Sequence, residues 1–183
     1  MFLFLIIALA VLVLILVLYI NKIIVLSNRI DNAWSQIDVQ LKKRADLVPN
    51  LVETVKGYMK HERKAIEMVT KAREEMMKVS DNLKDRAKAE NQLTSALKTI
   101  FALSENYPKL RASENFKQLQ EQLESIENKI AYARQFYNDS VLEFNNITST
   151  IPGKWLVGLS GKKAPREYFE IEAIERKPVK VEF

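Results

Sequence analysis

No cysteine occurs in this chain, so disulfides, thiolate zinc sites and thiol nucleophiles are excluded from the outset. Histidine is nearly as scarce, with His61 alone. A di-iron bundle needs two Glu-x-x-His pairs, and the zincin pattern needs a second His after His61-Glu62; neither can be assembled. Glycine is confined to positions 57, 153, 158 and 161, which leaves no phosphate-cradling loop of the Walker or dinucleotide-binding kind. Three of the five prolines lie after residue 150. The middle of the chain therefore has little to interrupt a helix. The first twenty residues contain no charged side chain, so the net charge of +5 resides wholly in residues 21–183.

What is present begins with Phe2 to Ile20, nineteen apolar residues in a row. As a helix they extend roughly 28 Å, close to the hydrocarbon thickness of a bilayer. Tyr19 and Lys22 suit the interface, where a ring or a long amine meets water. A secretory signal would carry a basic n-region and a small-x-small cleavage site, and the run has neither. It is expected to act as a single-pass anchor in the cell membrane. Lys22 and Arg29 come just after the run, which by the positive-inside rule puts the N-terminus outside and the remainder in the cytoplasm.

Beyond the anchor, apolar residues recur at three- and four-residue steps. Ile30, Trp34, Ile37 and Leu41 form one stripe, expected to continue as helix to about Ala45. Asp46 then reads as the cap of a second helix with Pro49 in its first turn, or the same residues form one kinked, continuous helix. The second helix is expected to reach Val79 and a third to run through Leu93, Leu97, Ile100 and Leu103, with a polar connection at Ser80 to Arg86. A fourth opens after Ser113: Phe116, Leu119, Leu123, Ile126, Ile130, Ala133 and Tyr137 step by three and four, a heptad seam extended by Val141 and Phe144. The fold class implied is all-α: an N-terminal transmembrane helix followed by an elongated antiparallel bundle of about four long helices. The divisions are residues 1–22 for the anchor, 23–150 for the bundle and 151–183 for a partly irregular tail.

Lys42-Lys43-Arg44 and similar basic runs sit among acids in mixed-charge helices, so nucleic acid is not an expected partner. His61 lies among charged neighbours and reads as an exposed helical residue. Polar residues inside the stripes carry more information. Asn32, Trp34, Asp38, Arg134 and Asn138 are the candidate structural or assembly residues, with Arg134 a candidate bridge to Asp31 or Asp38. In the tail, Trp155 stands in an apolar patch flanked by Lys162 and Lys163. The patch either packs back on the bundle or, with Lys22, meets the membrane surface. No catalytic, cofactor or metal site is expected.

The stretch Asn28-Arg29-Ile30-Asp31-Asn32-Ala33-Trp34-Ser35-Gln36-Ile37-Asp38, continued by Asp46-Leu47-Val48-Pro49-Asn50-Leu51, resembles the opening motif of the LemA family. Ser104-Glu105-Asn106-Tyr107-Pro108 and Ile130-Ala131-Tyr132-Ala133-Arg134-Gln135-Phe136-Tyr137-Asn138 resemble its second block, and Tyr168-Phe169-Glu170-Ile171-Glu172 its tail. The resemblance implies a bacterial or archaeal membrane protein with a helical bundle and no reaction that carries over. It also points toward a scaffold or adaptor at the membrane, with a membrane metalloprotease of the HtpX type as a candidate partner; the long bundle and apolar tail add the expectation of a homo-oligomer. An anionic-lipid-binding, membrane-remodelling or stress-sensing role is the alternative.

Overall fold

The computed structural model describes residues 1–79 and 82–169. Among these the structure is helical and contains no strand. Helix α1 spans Phe2–Lys56, α2 Arg63–Lys78, α3 Leu83–Ser104, α4 Pro108–Ala112, α5 Glu114–Ser149 and α6 Gly153–Leu156, followed by a 3-10 turn at Val157–Ser160. The all-α expectation holds. The described residues divide into two compact units: one from residues 1–36 and 133–168, the other from residues 37–132 with Phe169.

In the first unit, α1 buries Ile23, Leu26, Ile30 and Ala33, and α5 buries Tyr137, Val141 and Phe144. The pairs Arg29–Glu143, with its N–H donated at 2.9 Å, and Trp34–Tyr137, with ring centroids 6.0 Å apart, run in opposite sequence directions. The two helices are therefore antiparallel here. Residues 1–15 are all exposed, so the apolar run forms no protein core of its own.

In the second unit, α1 continues the stripe with Ile37, Leu41, Val48, Leu51 and Val55. Helices α2 and α3 pack on one another and bury Val69, Met76, Leu93, Leu97 and Ile100. Helix α5 supplies Phe116, Leu119, Leu123, Ile126 and Ile130, the seam read from its heptad steps. Each such side chain contributes on the order of 1.5–3 kcal/mol by leaving water.

Of the two readings left open at Asp46, the continuous helix is found. Asp46 is exposed within α1, and Pro49 lies inside the helix. Proline has no N–H, so the carbonyl of Ala45, four residues earlier, lacks its usual helical donor. Arg73 of α2 supplies one: its Nε donates to the Ala45 carbonyl at 2.9 Å. The helix survives its proline because a side chain from another helix replaces the missing bond.

Two boundaries differ from expectation. The long second helix instead breaks after Lys56. Tyr58 and Met59 N–H groups both donate to the Val55 carbonyl, and α2 restarts at Arg63. Gly57 stands at the break, where its backbone freedom makes continued helix costly. Helix α2 is thus only 16 residues long. Helix α3 starts earlier than its apolar pattern suggested, because the Asn82 side chain accepts the Lys84 N–H at 2.9 Å as an N-cap. The alternating residues after Phe169, including the strand-like Val179 to Phe183, lie outside the described residues, as do Ser80 and Asp81.

Candidate functional site

Ser27 lies beside Leu26 on the buried stripe of α1 and is itself wholly buried, so its hydroxyl needs a partner. Arg166 provides it, with Nη2 donating to Ser27 Oγ at 3.1 Å and to Asp31 Oδ1 at 2.7 Å. The backbone of Arg166 is held as well. Its N–H donates to Asn145 Oδ1 at 2.8 Å, and Asn145 Nδ2 donates to its carbonyl at 2.9 Å. One residue on, the Tyr137 hydroxyl donates to the Glu167 carbonyl at 3.0 Å. Lys162 Nζ reaches Asn28 Oδ1 at 3.0 Å. Together these contacts clasp the end of the first unit onto α1 and α5. Burial pushes the Tyr137 phenol above its ordinary pKa; Asp31 and Glu167 push the same way and Arg166 opposes them.

The second unit has a different polar centre. Arg44 occupies the stripe between Leu41 and Val48 and is 4% exposed. Its Nη1 donates to Thr94 Oγ1 at 2.9 Å and pairs with Glu127 Oε2 at 2.8 Å. Burial pulls its pKa down, and Glu127 acts in the opposite direction. Glu90, one helical turn before Thr94 on α3, is also fully buried. Nearer the start of the unit, Asp38 Oδ1 meets Arg86 Nη2 at 2.7 Å.

The assembly residues expected from sequence are thus distributed. Trp34 stacks at a tilt on Tyr137, and Asp38 is paired with Arg86. Arg134 and Asn138 are half-buried and engaged, while Asn32 is exposed. The two carboxylates offered to Arg134 on sequence grounds meet Arg166 and Arg86, cations assigned to the tail and to a connection. Lys22, Trp155 and Lys163 are exposed, and Lys162 is partly covered beside Asn28. Sequence reasoning missed Arg44, Ser27 and Asn145. The signal for Arg44 was its place in an apolar stripe, three residues after Leu41 and four before Val48.

Grooves on the second unit include two with more than one lysine in their walls. One, of about 760 Å³, is lined by Lys56, Lys60, Arg63 and Lys71 with Glu67 and Glu74 at its side and Met59 and Ile66 beneath. The other, of about 630 Å³, lies between Gln40, Lys43 and Leu47 of α1 and Glu121, Gln122 and Lys129 of α5. His61 is exposed. Among the described residues, no group of three or more His, Asp or Glu side chains converges as a metal site.

An exposed apolar helix that runs on into a helical bundle, braced by arginine-centred polar contacts, defines an all-α protein with one candidate membrane span. The model of the LemA family matches residues 33–183, and the chain belongs to that family. It is also similar to the curated Protein LemA of Metamycoplasma hominis, at 23% identity over 126 residues. That match takes in 69% of this chain and 58% of the relative, so the chain spans a little over half of that protein's length.

Proposed function

We propose that this protein is a non-enzymatic, single-pass scaffold or adaptor of the cell membrane. The observation that carries the reading is that every residue from 1 to 15 is exposed, a continuous apolar surface that water would not tolerate on a folded protein. The anchor would hold the bundle at the membrane, with the N-terminus outside and the bundle in the cytoplasm, as the cations after the span imply. Exposed side chains on the bundle, among them Tyr132 at 73%, offer contact points for a second copy or for a partner membrane protein. A membrane metalloprotease of the HtpX type is the partner that the family likeness suggests, which would tie the scaffold to envelope stress or membrane-protein quality control.

In-cell photocrosslinking from Tyr132 and from Asn32, with mass-spectrometric identification, tests the scaffold. A defined partner or a ladder of self-adducts is expected. A full-length chain that stays monomeric in mild detergent and captures nothing in cells overturns it. Alkaline carbonate extraction and protease accessibility in spheroplasts test the anchor and its orientation separately.

A further inference from the structure

The segment after α5 tracks α1 along a defined stretch. At Gly153 the backbone is pressed so close that a side-chain carbon there would run into the Ile147 carbonyl and come within 3.2 Å of the Tyr19 ring. Nine residues further along each segment, Lys162 is bonded to Asn28, and Arg166 then reaches Ser27 and Asp31. Residues 153–162 therefore accompany α1 over roughly 14 Å of helix, from the last turn of the apolar run to its first polar turns. In a bilayer the first half of that stretch lies in the headgroup region, roughly 5–8 Å deep on each side, and the rest emerges just beyond it.

The exposed side chains of this segment suit that depth. Gly153 and Leu156 are buried, while Ile151, Trp155 and Leu159 stand out at 66%, 69% and 74% exposure. From Phe144 to Arg166 the sequence has no acidic residue but carries Lys154, Lys162, Lys163 and Arg166. On α1, Lys22 is exposed at the same level, and the first acid is Asp31. Arg166 is taken up by Asp31, which leaves an indole and aliphatic side chains beside the exposed amines of Lys154 and Lys163 to match an interface of acyl-chain ends and lipid phosphates.

We propose that residues 151–163 form a second membrane contact, an interfacial element that seats Trp155 and Leu159 in the headgroup layer with Lys154 and Lys163 on anionic lipid. This rests on the reading of α1 as an anchor. Such an element would fix the tilt and rotation of α1, because two contacts on one rigid body define an orientation where one does not.

Only Trp34 and Trp155 fluoresce as tryptophan, which makes the test direct. The full-length chain is reconstituted into phosphatidylcholine–phosphatidylglycerol vesicles with bromines placed at shallow or deep acyl positions. Flotation of the vesicles is checked in parallel. In the Trp34→Phe chain, blue-shifted emission is expected, quenched more by shallow than by deep bromines. The chain with native Trp34 serves as a second route, since its quenched component should vanish on Trp155→Phe. Replacing Lys154 and Lys163 with Glu should weaken the shallow quenching. Water-like, unquenched Trp155 emission from a chain that floats overturns the interfacial element and leaves the anchor standing. A chain that does not float overturns the anchor, and this element with it.

Discussion

Arg44 is sealed into the apolar stripe of the second unit, whereas Arg166 stands at the edge of the first and is held there largely through its own backbone. Both bridge a hydroxyl and a carboxylate: Thr94 and Glu127 for Arg44, Ser27 and Asp31 for Arg166. The difference lies in what remains when the side chain is removed. Around Arg44, loss of the guanidinium opens a void in packed surroundings and leaves Thr94 without its donor. Around Arg166, the two Asn145 bonds persist because they engage only the main chain. The same chemistry therefore supports a whole core in one place and fastens a single segment in the other.

The largest effect that would test this contrast is expected from Arg44→Ala. Emptying this buried site and leaving Thr94 without its donor costs about 2–4 kcal/mol, while Glu127, its side chain 41% exposed, is left as a partly solvated charge. Denaturant unfolding in detergent should show the second unit lost cooperatively, while Arg44→Met, which restores volume without charge, recovers much of the difference. An Arg44→Ala chain as stable as wild type would remove the distinction. Arg166→Ala should cost about 1–2 kcal/mol, since the buried Ser27 hydroxyl loses its donor but the Asp31 pair is half exposed. Its signature is local: faster amide exchange around residues 160–168, with α3 unchanged.

Arg73→Ala should cost about 1 kcal/mol, the value of one hydrogen bond. That cost should disappear in the Pro49→Ala background, because residue 49 then donates to Ala45 itself. A double-mutant cycle with no coupling would refute the compensation. Tyr137→Phe should cost about 1 kcal/mol at neutral pH. The folded-state pKa of Tyr137 lies above the ordinary 10.0, so its contribution is complete below pH 10.0 and is lost as pH rises through the raised value. Thermal unfolding of wild type should fall over that alkaline range, and the Tyr137→Phe variant should fall less.

Sequence periodicity reached the helical class, the seam of α5 and the apolar span, because each depends on side chains spaced along one element. It did not reach the polar contacts, which join residues on different elements, from 21 positions apart for Asn145 and Arg166 to 135 for Arg166 and Asp31. The break at Gly57 was within reach, since a lone glycine amid good helix formers is a stop signal that the apolar pattern on either side outweighed. The Asn82 cap was overlooked for a similar reason: the apolar repeat of α3 begins at Leu93, nearly three turns after the helix starts at Leu83. The choice at Pro49 was beyond local reading altogether, because Arg73, the residue that settles it, lies 24 positions away.

The bond between Arg73 and Ala45 also acts as an address. A regular helix offers a neighbour the same ladder at every turn, so sliding by one turn changes little in its backbone. Proline erases one rung and leaves a single carbonyl unlike all the others. An arginine that answers only that carbonyl tells α2 where along α1 to stop, so an imperfection in one helix becomes the landmark by which another is aligned.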